Sequence, residues 1–99
     1  MTKAVRVHQV GGPEALVYED VVLPPPGEGE VRIRQHAVGL NFIDVYYRTG
    51  LYKAPALPFV AGNEAAGEVM AVGPHVTNFH PGDRVAYYAN LGGYATERN

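Results

Sequence analysis

Four side chains that can touch a ligand fall close together in this chain: Asn41, Asp44, Tyr46 and Tyr52. A carboxamide followed three residues later by a carboxylate is the pattern of a helix start, where each side chain can satisfy a backbone N–H that the helix leaves free. Asn41 and Asp44 therefore have a structural reading, a cap and a complement to the helix dipole, before any ligand is invoked. Tyr46 and Tyr52 offer flat apolar faces, each with an O–H that can steady charge building on an acceptor oxygen. A phenol with a pKa of about 10 is a reluctant acid, so orienting a ligand suits these residues better than donating a proton. Packing is the alternative reading for both, since the chain has seven tyrosines, and Tyr47, Tyr87 and Tyr88 are assigned to packing.

Other chemistries find less support. The chain contains no cysteine, which removes disulfides, thiolate metal ligands and a cysteine nucleophile. Of the histidines His8, His36, His75 and His80, the last two are spaced like some metal ligands, but nothing obvious completes a site, and loop histidines are the expectation. Glu64 is expected to be a buried structural carboxylate. Gly62 and Gly67 resemble spaced phosphate-loop glycines, yet no long amphipathic helix follows them, so the dinucleotide fingerprint fails.

The elements that must position these residues are short. Lys3 to Val10 alternates like a half-buried strand until Gly11-Gly12-Pro13, and Leu16 to Leu23 reads as a second strand ending at Pro24-Pro25-Pro26-Gly27. A third runs from Val31 through Leu40, and its continuous apolar end predicts burial on both faces. The period then changes. Ile43, Tyr46 and Tyr47 predict one short helix over Asn41 to Thr49, ended by Gly50. Ala65 to Val72 is a strand whose Gly67 predicts a bulge or close backbone approach. Pro81-Gly82-Asp83 predicts a type II turn before a strand from Arg84 to Ala89, and Tyr94 to Glu97 predicts a last one. Short strands, Gly/Pro punctuation and a single helix make the class mainly β, a partly open β-barrel.

Ninety-nine residues, 46% hydrophobic and 18% charged, suit one globular domain over residues 1–99. Eight basic residues against ten acidic ones, scattered singly, argue against a nucleic-acid partner. The opening MTKAVRVHQV has no continuous apolar run, so neither a signal peptide nor a membrane span is expected, and the cytoplasm is the default location.

Several stretches taken in order resemble the zinc-independent quinone oxidoreductases (zeta-crystallin-like) of the medium-chain dehydrogenase/reductase superfamily. They are Gly11-Gly12-Pro13-Glu14, the run Val38-Gly39-Leu40-Asn41-Phe42-Ile43-Asp44-Val45-Tyr46, Gly50-Leu51-Tyr52, and Gly62-Asn63-Glu64-Ala65-Ala66-Gly67 continuing to Gly82-Asp83-Arg84-Val85. The resemblance implies a GroES-like β-barrel, a substrate-side domain whose Rossmann continuation this chain lacks, and a homodimer for the full-length protein. It implies NADPH as hydride donor, with its phosphate site in the missing domain, and a quinone or similar conjugated carbonyl as acceptor. Asn41, Phe42, Asp44 and Tyr46 are then expected at the cofactor, with Tyr46 and Tyr52 positioning substrate.

Zinc-dependent members of that superfamily carry cysteine where Asn41 stands and histidine where Asn63 stands. Carboxamides are poor zinc ligands, so no metal is expected. Those members also have a hydroxyl residue in place of Ile43, which relays the alcohol proton. An enone or enoyl thioester acceptor is the alternative within this reading, and a free-standing GroES-like binding module is the alternative outside it. The 99-residue chain alone is expected to lack reductase activity.

Overall fold

The computed structural model describes residues 2–99. Strands β1 (Thr2–Val7), β2 (Leu16–Val21) and β3 (Val31–Val38) precede helix α1 (Phe42–Thr49), and β4 (Phe59–Val60), β5 (Glu64–Val72), β6 (Arg84–Tyr88) and β7 (Glu97–Arg98) follow it. A 3₁₀ turn at Pro13–Ala15 joins β1 to β2. Two antiparallel sheets result, ordered β2-β1-β4 and β6-β5-β3-β7.

The segment 94–96 stitches the two sheets together. Val5 N–H donates to the Tyr94 carbonyl at 2.8 Å and Thr96 N–H to the Lys3 carbonyl at 2.8 Å, while Gln35 N–H donates to the Thr96 carbonyl at 2.9 Å. One short stretch thus binds β1 on one side and β3 on the other, closing the sheets into a partly open barrel whose outer strands are β2 and β6. Val7, Phe59 and Ala61 form the buried centre near the helix, with Tyr47 and Tyr94 packed against them. Ile33, Ala65 and Val69 fill the second sheet's inner face. The β5 alternation is regular, with Ala65, Gly67 and Val69 inward and Ala66 and Glu68 outward.

Gly67 explains a register break. A Cβ there would stand 2.0 Å from the Arg34 carbonyl oxygen, so the β3 backbone presses where a side chain would be. The β3–β5 register shifts beside it, between Gln35 and Ala37. The turn before β6 also has the expected form: Gly82 has φ of +98° and Asp83 N–H donates to the His80 carbonyl at 3.1 Å.

Several boundaries differ from the sequence reading. β1 stops at Val7, not Val10, because the chain turns to α1: Gly11 N–H donates to the Arg48 carbonyl at 2.9 Å and the Arg48 guanidinium donates to the Gly11 carbonyl at 3.0 Å. β2 stops at Val21, since the Leu23 and Pro24 carbonyls accept from Arg32 in place of a strand partner. The far end of β3 is not buried on both faces: Val38 is 41% exposed and Leu40 beyond it 81%. An apolar run shows that a surface prefers cover, and no described residue covers this one. Tyr94 to Glu97 is mostly the stitch, with only Glu97 and Arg98 in a ladder, and β6 ends at Tyr88. Tyr88 does not pack, being 81% exposed.

Candidate functional site

The N-terminus of α1 is built as its sequence requires. Asn41 is extended, with φ of −138° and ψ of 156°, and its carbonyl accepts the Asp44 N–H at 3.0 Å. The Asp44 carboxylate reaches back to the Asn41 N–H at 3.1 Å, the reciprocal half of a capping box. Gly50 ends the helix in the left-handed conformation, φ of +89°.

Asp44 does more than close the helix. It is buried, and its Oδ1 accepts from the Asn63 carboxamide nitrogen at 3.0 Å while its Oδ2 is shared between the Asn41 N–H and the Tyr94 O–H. Three donors from three separate segments converge on one carboxylate. Burial, and secondarily the hydrogen bond and charge of Asp44, hold the Tyr94 phenol well above its ordinary pKa, so Tyr94 stays a proton donor to the carboxylate.

An open cavity of about 550 Å³ lies over this cluster, lined by Asn41, Phe42, Asp44, Arg48 and Tyr94 with Leu40 at its apolar edge. Phe42, 81% exposed, and Asn41 are both exposed at the cavity and accessible to a ligand. Asp44 lines the cavity while both its oxygens are held by protein donors. Such a cavity offers apolar walls, one carboxamide able to donate and accept, and a carboxylate fixed in place.

Tyr46 and Tyr52 are brought together elsewhere. Their rings meet edge to face with centroids 5.3 Å apart, and Tyr52 N–H donates to the Tyr46 carbonyl at 3.0 Å. Tyr47 packs edge-on against both Tyr52 and Phe59, which ties the pair to the core. Neither Tyr46 nor Tyr52 lines the Asn41 cavity. Tyr52 opens onto a second cavity, about 430 Å³, with Val10, Pro55 and Leu57. The residues singled out in sequence thus form two groups on one helix and its following turn.

Among the described residues no three His, Cys, Asp or Glu side chains converge as a metal group. Each histidine instead stands near its own carboxylate, His75 with Glu28 at 2.9 Å being one case. His36 lies on β3, not in a loop, and Glu64 is half-buried, not buried, with its side chain over Gly39, where a Cβ would meet it at 2.1 Å. Sequence reasoning did not connect Tyr94 or Asn63 with Asp44. The signal is weak, since 50 residues separate Tyr94 from Asp44 and no local pattern encodes the contact.

Residues 27–98 match the alcohol dehydrogenase GroES-like domain family. Across 96 residues the chain is 55% identical to the quinone oxidoreductase of Pseudomonas aeruginosa, covering 96% of this chain and 30% of that protein. A solved quinone oxidoreductase from Pseudomonas syringae superposes with a TM-score of 0.95 at 52% identity, over 99% of this chain and 30% of that one. The Escherichia coli quinone oxidoreductase complexed with NADPH gives 0.91 at 41% identity, over 97% and 30%. The chain belongs to the alcohol dehydrogenase GroES-like domain family, in the quinone oxidoreductase branch of the medium-chain dehydrogenase/reductases. It spans about 30% of the length of the curated relatives it matches.

Proposed function

We propose that this chain is the substrate-side domain of an NADPH-dependent quinone oxidoreductase that works without zinc. The observation that carries the reading is the cavity at the start of α1, where exposed Asn41 and Phe42 stand beside a buried carboxylate whose two oxygens hold three protein donors. NADPH, when bound, supplies the hydride. Asn41 offers a carboxamide to the nicotinamide end and Phe42 an apolar face, with Tyr46, one helical turn beyond Phe42 and outside the cavity itself, assigned to the cofactor's outer edge. Asp44 keeps this wall in register. The phosphates are assigned elsewhere, because α1 is the one α-helix among the described residues, no glycine-rich turn feeds it, and its first turn carries the Asp44 carboxylate, whose charge opposes theirs. A second domain supplies their site.

The donor set supports zinc independence. Two carboxamides, Asn41 and Asn63, stand by a carboxylate already holding three donors, and neither amide competes with thiolate or imidazole for zinc. Without Lewis-acid help the acceptor must already be electrophilic, as a quinone is. Tyr46 and Tyr52, packed edge to face and partly exposed, are assigned to positioning such a ring. The test is NADPH oxidation by the full-length protein with a quinone series and an alkenal series. Turnover with quinones is expected, and turnover confined to alkenals overturns the quinone assignment. Titrating the isolated 99-residue chain with NADPH is expected to show no binding, whereas micromolar affinity would relocate the phosphate site to this domain.

A further inference from the structure

We propose that Tyr94 is a positioning residue for the Asn41 cavity: its O–H, donated to Asp44, fixes the carboxylate that holds the Asn41 backbone, and so sets where the Asn41 carboxamide stands. Tyr94 is firmly held at its backbone and its ring. Its N–H donates to the Ala61 carbonyl at 2.8 Å, and its own carbonyl accepts the Val5 N–H at 2.8 Å. The ring is seated against Gly62, where a Cβ would come within 2.5 Å of Tyr94 Cδ1. Gly62 has φ of +91°, a conformation that also favours glycine. The phenol is thus delivered to Asp44 from backbone fixed at both its N–H and its carbonyl.

Asp44, by contrast, sits at the very start of an eight-residue helix, an element too short to be rigid by itself. Its Oδ2 serves both the Asn41 N–H and the Tyr94 O–H, while Asn63, 5% exposed, anchors Oδ1. Without the phenolic proton, the carboxylate keeps one rigid anchor and gains a vacant acceptor site on the cavity side. It can then rotate about the Asn63 contact or recruit water. Asn41, the exposed residue at the cavity mouth, follows it, because its N–H is bonded to the same oxygen. Tyr94 acts through Asp44 and Asn41; the effect on turnover rests on the proposed reductase reading, whereas the placement of Asn41 does not.

Tyr87 supplies the control. It too donates its O–H to a side-chain acceptor, Gln35 Oε1, and its ring packs under Arg98 with the guanidinium 4.8 Å from the centroid, but it lines neither the Asn41 nor the Tyr52 cavity. Tyr94→Phe and Tyr87→Phe each lose one phenolic hydrogen bond and keep the ring. In the full-length protein, labelled with ¹⁵N at asparagine, Tyr94→Phe should shift or broaden the Asn41 side-chain NH₂ signals, and Tyr87→Phe should leave them in place. With a quinone acceptor Tyr94→Phe should lower kcat about tenfold and change KM by less than about twofold, as expected for lost alignment of one hydrogen-bonded group. Tyr87→Phe should leave kcat as it is. Unchanged Asn41 signals in Tyr94→Phe overturn the proposal whatever the rates are, as does an active enzyme whose kcat the substitution leaves intact. If the unsubstituted protein reduces no quinone, the reductase reading fails, and the Asn41 signals alone decide the role of Tyr94.

Discussion

Replacing Asp44 with alanine should be among the most damaging single substitutions in this chain, and replacing it with asparagine should cost much less. In Asp44→Ala the Asn63 Nδ2, the Asn41 N–H and the Tyr94 O–H all lose their acceptor, and Asn63 has little access to water. Hydrogen bonds to a charged group are worth about 1.5–3 kcal/mol each. The sum overstates the loss, because removing the carboxylate also removes the cost of keeping it out of water. A net loss of about 3 kcal/mol follows, equivalent to a fall of about 12–24 °C in Tm for a domain of this size. Asp44→Asn has a way out. With its oxygen in the Oδ2 position, the substituted carboxamide still accepts from Asn41 and Tyr94, and its NH₂ donates to Asn63 once that amide flips to present oxygen. Only the charge assistance is lost, about 1 kcal/mol. Urea unfolding, with the slope constant across variants, measures both. A loss below about 1 kcal/mol for Asp44→Ala, or equal losses for the two substitutions, would refute the idea that this carboxylate is a three-donor hub.

Other expectations follow from the same geometry. Gly67→Ala should destabilise the chain by at least about 3 kcal/mol, since its Cβ would meet the Arg34 carbonyl at 2.0 Å; thermal melting checks this. Tyr94→Phe should flatten the alkaline limb of stability. The phenol binds its proton more tightly folded than unfolded, so its contribution is whole below its unfolded pKa, about 10, and declines as pH rises beyond that. Chemical unfolding at a series of alkaline pH values should show the difference. Tyr52→Phe in the full-length protein should change kcat or KM by about tenfold or less, with Tyr52→Ala more harmful, because the ring face survives only in the first; steady-state kinetics decides, and equal negligible effects would leave Tyr52 a packing residue. Elemental analysis of chelator-free protein should find well below one zinc per chain.

The parts of the fold legible in sequence were those set by local backbone chemistry. Helix α1, with Asn41 before it and Gly50 after it, was readable because capping and a left-handed stop involve residues only a few positions apart. The turn at Pro81-Gly82 and the tight approach at Gly67 were readable for the same reason, since glycine in a strand or turn reports backbone that a side chain would obstruct. Strand ends were not. β1 ends where Gly11 bonds to Arg48, and β2 where Arg32 takes the carbonyls of Leu23 and Pro24. Those partners lie outside the strands they end, 37 residues away for Gly11 and eight or nine for Pro24 and Leu23, and no periodicity within a strand announces them.

The site divides along the same line. Asn41, Asp44, Tyr46 and Tyr52 stood out because their types and spacing are local facts, yet their division, Asn41 and Asp44 at one cavity and Tyr52 at another with Tyr46 packed against it, depends on the helix face each occupies and on what the barrel brings alongside. Asp44 shows the limit most clearly. As a residue three positions after a cap it has a complete local explanation, and its capping bond is indeed formed. That explanation accounts for one of three donors. The other two, from Asn63 and Tyr94, come from the approach to β5 and from the stitch between the sheets. A surface cap could meet its needs with water, whereas a carboxylate buried at a cavity wall needs protein donors. Burial therefore separates a helix cap from a structural hub, and burial at this position is decided by where the barrel closes.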